Sequence, residues 1–154
     1  MNHTKPEAVI FDLDGTLCDT SGIVHFVNGP KKDHDAFHRA SASCPPNEHV
    51  VEMLRPHLEV KDRQVFIVTG RDEKHRALSE SWLGSNGIPW DVLLMRPRGD
   101  MRQDTVVKAE ILEQIRRKLD VIAAYDDRPT VLAMWREQGI PTVVDVQTWK
   151  GPVL

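Results

Sequence analysis

Cysteine is scarce in this chain. Two, Cys18 and Cys44, are too few for the disulfide framework of a small secreted domain, so a reducing, cytoplasmic setting is expected. Long apolar runs are missing too: no stretch approaches the ~18 residues that a membrane-spanning helix needs. The opening MNHTKPE is polar and lacks the apolar centre of a signal peptide. Positive charge is not in excess. A formal net charge of -3 gives no support to a bulk-basic, non-specific DNA binder, although a locally basic rim stays open. There is no internal repeat and no low-complexity tract.

What is present fits one ordinary globular domain with a real core: 154 residues, 40% hydrophobic and 28% charged. Short β-branched runs alternate with longer amphipathic segments. Strands are predicted at 8–11, 65–68, 91–95, 121–125 and 142–145. Nearly continuous apolar runs of this length suit a mainly parallel sheet covered on both faces. Helices are predicted at 72–83, 104–118 and 128–138. Asp72 and Asp127 read as N-caps of the first and last, and Pro129 falls in the last one's first turn. Gly84, Gly139 and Pro141 read as stop signals. The alternation implies a five-stranded α/β sandwich with right-handed crossovers. Residues 19–62 exceed what one crossover needs. They hold two helix signals, near 33–42 and 47–58, around a Pro45-Pro46 break. The segment reads as a small helical, cap-like insertion over the carboxyl ends of the strands, within a single domain over 1–154.

Chemistry-bearing residues gather at those strand ends. AVIFDLDGTLCDT places Asp12 and Asp14 at the tip of the first strand, followed by a Gly-Thr turn. Thr69-Gly70-Arg71 follows the second strand. Asp104 and Lys108 open the helix after the third, and Asp126-Asp127-Arg128 follows the fourth. Singly, each has a structural reading: a turn, a cap, a solvated helix residue. Together, they form a hard oxygen site suited to Mg²⁺, a carboxylate able to attack phosphorus, and a hydroxyl and an ammonium able to hold phosphoryl oxygens.

FDLDGTL, IVTGR, the later lysine and the acidic pair resemble the four motifs of the haloacid dehalogenase superfamily of phosphohydrolases. The resemblance covers nearly the whole chain. It implies a Rossmann-like sheet of order 5-4-1-2-3. It implies that Asp12 forms an aspartyl-phosphate, and that Asp14 protonates the leaving oxygen and then activates water. It implies Mg²⁺ on the Asp12 carboxylate, the Asp14 backbone carbonyl and one of Asp126 and Asp127, with Asp127 favoured. Thr69 and Lys108 would bind the phosphoryl group. Mg²⁺, Lys108 and helix N-termini would then explain how two like charges share one strand tip.

LLMRPRGDMRQDTVVK and YDDRPTVLAMWREQGIPTVVDV are similar to the 3′-phosphatase domain of phage-type polynucleotide kinases. The matching positions are Arg98, Gly99, Asp100, Arg102, Asp104 and Lys108, then Asp126, Asp127, Arg128, Met134, Trp135 and Arg136; the SWL at 81–83 fits as well. The resemblance implies removal of 3′-phosphates from DNA or RNA ends. A free nucleotide or small phosphomonoester is the alternative substrate, and a catalytically quiet partner subunit is a further one. Gly70, Arg71, Arg98, Arg102 and Asp104 are the expected substrate-side residues, with Arg96 beside them at the site mouth. Full-length members also carry a P-loop kinase domain. No G-x-x-x-x-G-K-[ST] occurs here, so 5′-kinase activity is not expected. The kinase is then a separate polypeptide, a removed part or absent, and a separate kinase or ligase is a candidate partner. His34, Asp35 and His38 read as a polar helix face rather than a metal site. Of the four tryptophans, which could stack on bases, Trp82 and Trp135 read as core. Phe26, Phe37 and His38 in the insertion are better placed to meet substrate.

Overall fold

Alternation along each strand sends successive side chains to opposite faces of the sheet. In the computed structural model, which describes residues 5–147, this rule sorts the core into two halves. Val9, Phe11, Val65 and Ile67 pack on one face; Ala8, Ile10, Phe66 and Val68 pack on the other. The strands are β1 (Glu7–Phe11), β2 (Arg63–Asp72), β3 (Val92–Arg96), β4 (Asp120–Asp126) and β5 (Thr142–Asp145). Their order is β3-β2-β1-β4-β5, and every pairing is parallel. This is the expected order. All five strands therefore direct their carboxyl ends to one edge, with β1 in the centre.

Five helices complete the three layers: α1 (His34–Ala40), α2 (Glu48–Leu54), α3 (Arg76–Ser85), α4 (Asp104–Arg116) and α5 (Pro129–Glu137). Val50 and Leu54 of α2 and Trp82 and Leu83 of α3 cover the first face. Val107, Ile111 and Ile115 of α4 and Val131 and Trp135 of α5 cover the second. Trp82 and Trp135 are core, as expected. Trp149 lies outside the described residues. No helix among the described residues is long and apolar enough to cross a membrane.

The structure redraws three expectations. The segment 19–62 is not all insertion. Val50, Val51, Met53 and Leu54 bury α2 against the sheet, so α2 is the ordinary crossover between β1 and β2. The surplus ends near residue 46. It comprises a 3-10 turn at Val24–Phe26, helix α1 and a second 3-10 turn at Ser41–Ser43. The α3 segment starts with a 3-10 turn over Glu73–His75, which Asp72 caps by accepting from the Lys74 N–H at 2.8 Å. Gly84 lies inside α3, and the chain reverses at Gly87, whose φ is 65°. Asp127 does not cap α5. Arg128 holds that position, and the Asp126 carboxylate accepts from the backbone N–H groups of Asp127 and Arg128 at 2.8 and 3.3 Å.

Candidate active site

The central strand delivers the first acid. The Asp12 backbone N–H donates to the Tyr125 carbonyl at 3.0 Å, which continues the β1–β4 pairing one residue past the strand. Asp12 is thereby fixed and almost wholly buried. Its Oδ1 accepts from the Lys108 ammonium at 3.0 Å, and its Oδ2 accepts from the Thr16 hydroxyl at 3.2 Å. Lys108 also donates to Asp126 Oδ2 at 3.0 Å. A fully buried lysine is expensive unless its charge is matched. Burial alone would depress its pKa, but Asp12, Asp126 and Asp104 outweigh that and raise it.

One cation does not balance three carboxylates. Carboxylate oxygens of Asp12, Asp126 and Asp127 all lie within 4.8 Å of one another. Burial and then repulsion from Asp126 raise the pKa of Asp12 well above the usual carboxylate range, and the same two causes raise that of Asp127. Such a cluster of hard oxygens suits a divalent cation. The acids differ in spare capacity. Asp126 Oδ2 already accepts from Lys108 and from the Trp135 indole at 3.4 Å, and its Oδ1 accepts two backbone N–H groups. Asp127 is half-buried. Among the described residues, the donors that reach it are at long range, the Thr16 hydroxyl at 3.4 Å and the Gln147 amide at 3.3 Å. The neighbouring turn leaves room for nothing larger than glycine. A Cβ on Gly15, whose φ is 81°, would sit 2.2 Å from Asp127 Oδ2.

Asp14 is held differently. The Arg71 guanidinium grips its two oxygens at 2.6 and 2.9 Å, a bidentate pair. Arg71 itself is 1% exposed and donates on to Ser79 Oγ at 3.0 Å. It therefore fixes Asp14 from inside the protein and does not stand at the site mouth, contrary to expectation. β2 runs on to Asp72, which carries Arg71 inward beside Thr69. The Thr69 hydroxyl accepts from the Arg71 backbone N–H at 3.2 Å.

The expected arginine rim is largely tied up. Arg96 bonds the Gly70 carbonyl at 2.7 Å and the Asp104 carboxylate, whose other oxygen accepts from Arg128 at 2.5 Å. A Cβ on Gly70 would lie 2.3 Å from Asp104 Oδ1, so Gly70 makes room for this acid. Asp104 is a hub between two arginines and not a cap; Gln103 holds the N-cap position of α4. Arg102 bridges Asp100 and Glu110, with contacts of 2.6 and 2.5 Å. Arg98 is exposed, and no hydrogen bond or ion pair holds it among the described residues. In the insertion, Phe37 is buried, while His38 turns inward to within 3.7 Å of Asp14. Asp35 pairs with Lys74 and His75. Asp35 is thus committed to two cations and His38 faces inward, so this helix face is not simply solvated.

The fold therefore brings together Asp12, Asp14, Thr69, Lys108, Asp126 and Asp127, with Gly70, Arg71 and Asp104 around them. It leaves Arg98 and Arg102 on the periphery. The sequence reading passed over Thr16 and Trp135 as partners of the acids. Thr16 was findable: it stands four residues after Asp12, in the same turn.

The model of one family, the polynucleotide kinase PNKP phosphatase domain, matches residues 6–149. A putative bifunctional polynucleotide kinase/RNA ligase of Autographa californica nuclear polyhedrosis virus is 29% identical over 143 residues, which is 92% of this chain and 19% of that protein. A chain in the structure of a Pnkp1/Rnl/Hen1 complex superposes with a TM-score of 0.76 at 31% identity, covering 93% of this chain and 46% of that one. A hydrolase from Streptococcus pneumoniae TIGR4 shares the fold with a TM-score of 0.56 at 17% identity, covering 90% of this chain and 92% of that one. This chain thus spans about a fifth of the viral relative and about half of the Pnkp1 complex chain.

Proposed function

The chain belongs to the family of polynucleotide kinase PNKP phosphatase domains, hydrolases of the haloacid dehalogenase superfamily, and we propose that it is a Mg²⁺-dependent phosphomonoesterase acting on nucleic-acid 3′-ends. One observation carries the reading. Asp12, the acid on the central strand, is held between Lys108 and Thr16 beside a carboxylate trio with a single buried ammonium.

The residues divide the labour. An Asp12 oxygen attacks phosphorus as the bond to the leaving 3′-oxygen breaks, giving an aspartyl-phosphate. Asp14 gives that oxygen its proton. Asp14 then takes a proton from a water that attacks phosphorus and releases Asp12. Lys108 and Thr69 stabilise the phosphoryl oxygens. Arg71 keeps Asp14 in one orientation, so the carboxylate reaches the same place in both steps. Mg²⁺ fits the donor set. The Asp12 carboxylate, the Asp14 backbone carbonyl and Asp127, the acid with spare acceptor capacity, would hold it, and it would offset phosphoryl charge. Asp126 would serve mainly to orient Lys108. Gly70 and Asp104 would shape the substrate side, with Arg98, unpaired among the described residues, available to a phosphodiester. Arg102 has no such freedom.

A kinase or ligase is the partner this reading implies, because the viral relative is named for both activities. The loss of Arg71, Arg96 and Arg102 from the expected rim favours a second reading, a nucleotide phosphatase. Phosphate release, with Mg²⁺ and with EDTA, is measured on matched oligonucleotides bearing a 3′- or a 5′-phosphate, beside 3′- and 5′-mononucleotides. Mg²⁺-dependent release from the 3′-oligonucleotide alone is expected. Release mainly from mononucleotides would overturn the polymer substrate and keep the chemistry.

A further inference from the structure

Among the described residues, a single buried side-chain nitrogen or oxygen lacks a hydrogen-bond partner: Nδ1 of His38. Buried polar groups are satisfied almost without exception, so such a group is a signal that a partner is nearby. One is. Nδ1 lies 3.7 Å from Asp14 Oδ2, a few tenths of an ångström beyond hydrogen-bond reach. His38 comes from α1, the surplus helix that the crossover does not need. That helix is placed with care. Asp33 caps it by accepting from the Ala36 N–H at 2.9 Å. Asp35 is held by Lys74 at 2.9 Å and by His75 at 3.1 Å, which ties α1 to the end of β2. The His38 and His75 rings lie 5.0 Å apart, and Phe37 anchors the inner face.

We infer that His38 is a positioning residue for Asp14, donating its Nδ1–H to the carboxylate so that the acid/base is assembled only when α1 is docked. The inference rests on Asp14 being the acid/base of the proposed reaction. Arg71 grips the Asp14 carboxylate from the β2 side, and His38 closes it from the insertion side. The two donors come from elements that the chain brings together only in the folded state. A neutral ring donates through one nitrogen only, and the buried Nδ1 beside a carboxylate is where that proton is stabilised. The surplus segment then has a purpose that its small size would not suggest: it supplies a part of the site, not a cover.

The test compares His38→Leu, which removes the donor, with His38→Asn, whose amide reaches the Nδ1 position. Both are measured as the full chain with 3′-phosphorylated oligonucleotide and with p-nitrophenyl phosphate. In His38→Leu, kcat on the oligonucleotide is expected to fall about tenfold, a fraction of what acid–base catalysis contributes, with KM within about twofold. His38→Asn recovers most of it. The single-turnover burst of p-nitrophenol is unchanged within about twofold, since that leaving group needs little protonation. Unchanged kcat in His38→Leu, an Asn variant as poor as the Leu variant, or an equal fall in the burst would each overturn the inference. If His38→Leu does not fold, His38→Ala against His38→Asn carries the same comparison. If the wild-type protein prefers mononucleotides, the polymer reading fails and the same contrast is read on them. A fully active Asp14→Asn protein would sink both.

Discussion

At the scale of single residues, charge balance governs the site. Asp12 is the proposed nucleophile, and its amide variant preserves shape but not nucleophilicity. Asp12→Asn is expected to lose at least about 10³-fold in phosphate release while remaining folded, since Asn can still accept from Lys108. Near-wild-type release from a correctly folded variant would refute the covalent mechanism. Lys108 is the reverse case. Its ammonium is the shared counter-ion of Asp12 and Asp126, and removing one partner from a buried ionic cluster costs about 3–5 kcal/mol. Lys108→Ala should therefore lower urea-unfolding stability by about that much in EDTA, whereas loss below 1 kcal/mol would mean that the acids are balanced by something else. Asp12, Asp14, Thr69 and Lys108 were legible because their spacing follows strand ends. Arg71 was misread because an arginine after a short apolar run looks solvated. Only the extra length of β2 and the partner Asp14 make its burial tolerable.

At the scale of elements, apolar rhythm carried most of the fold. The five strands were readable because each is built on a short, nearly continuous apolar run, and their order followed from the family resemblance. What hid was the division of 19–62. The Pro45-Pro46 break and the polar first helix made the two helices look like one unit, while the heptad-scale stripe Val50, Val51, Met53 and Leu54 is what assigns α2 to the core. The 3-10 turn after α2, Arg55–Glu59, offers a pH test away from the acids. There His57 lies between two partners, Arg63 and Tyr125. Its Nδ1 accepts from Arg63 at 3.1 Å, and its Nε2 is 2.9 Å from the Tyr125 hydroxyl. Burial, then the Arg63 charge, lowers its pKa below the ordinary 6.5. The unfolded chain therefore binds this proton more readily than the folded one. The stability it contributes is fully present above pH 6.5 and is lost as pH falls toward the lower folded value. Thermal unfolding followed across that window should show Tm falling with acidity, less steeply in His57→Gln. An identical slope in the variant would exclude His57 as the cause.

At the scale of the whole molecule, the sheet is a device for bringing like charges to one point, and the protein carries the cost of that in the absence of a cation. Two strand ends and one helix place Asp12, Asp126, Asp127 and Lys108 together from positions up to 115 residues apart. Binding a divalent ion at this point relieves repulsion that the native state alone bears, so it must stabilise the fold by mass action: about 2.7 kcal/mol at a hundredfold excess over Kd. For a chain of this size that corresponds to a Tm rise of roughly 5–10 °C. The two adjacent acids should separate in this assay. Asp127 has spare acceptors, so Asp127→Asn is expected to remove most of the Mg²⁺-induced rise with little loss of basal stability. Asp126 is spent on Lys108, Trp135 and two backbone N–H groups, so Asp126→Asn should lower Tm with or without Mg²⁺. A rise that survives in Asp127→Asn but vanishes in Asp126→Asn would exchange their roles. No rise in the wild-type protein would remove the metal from the site altogether, leaving Lys108 as the sole counter-charge for phosphate.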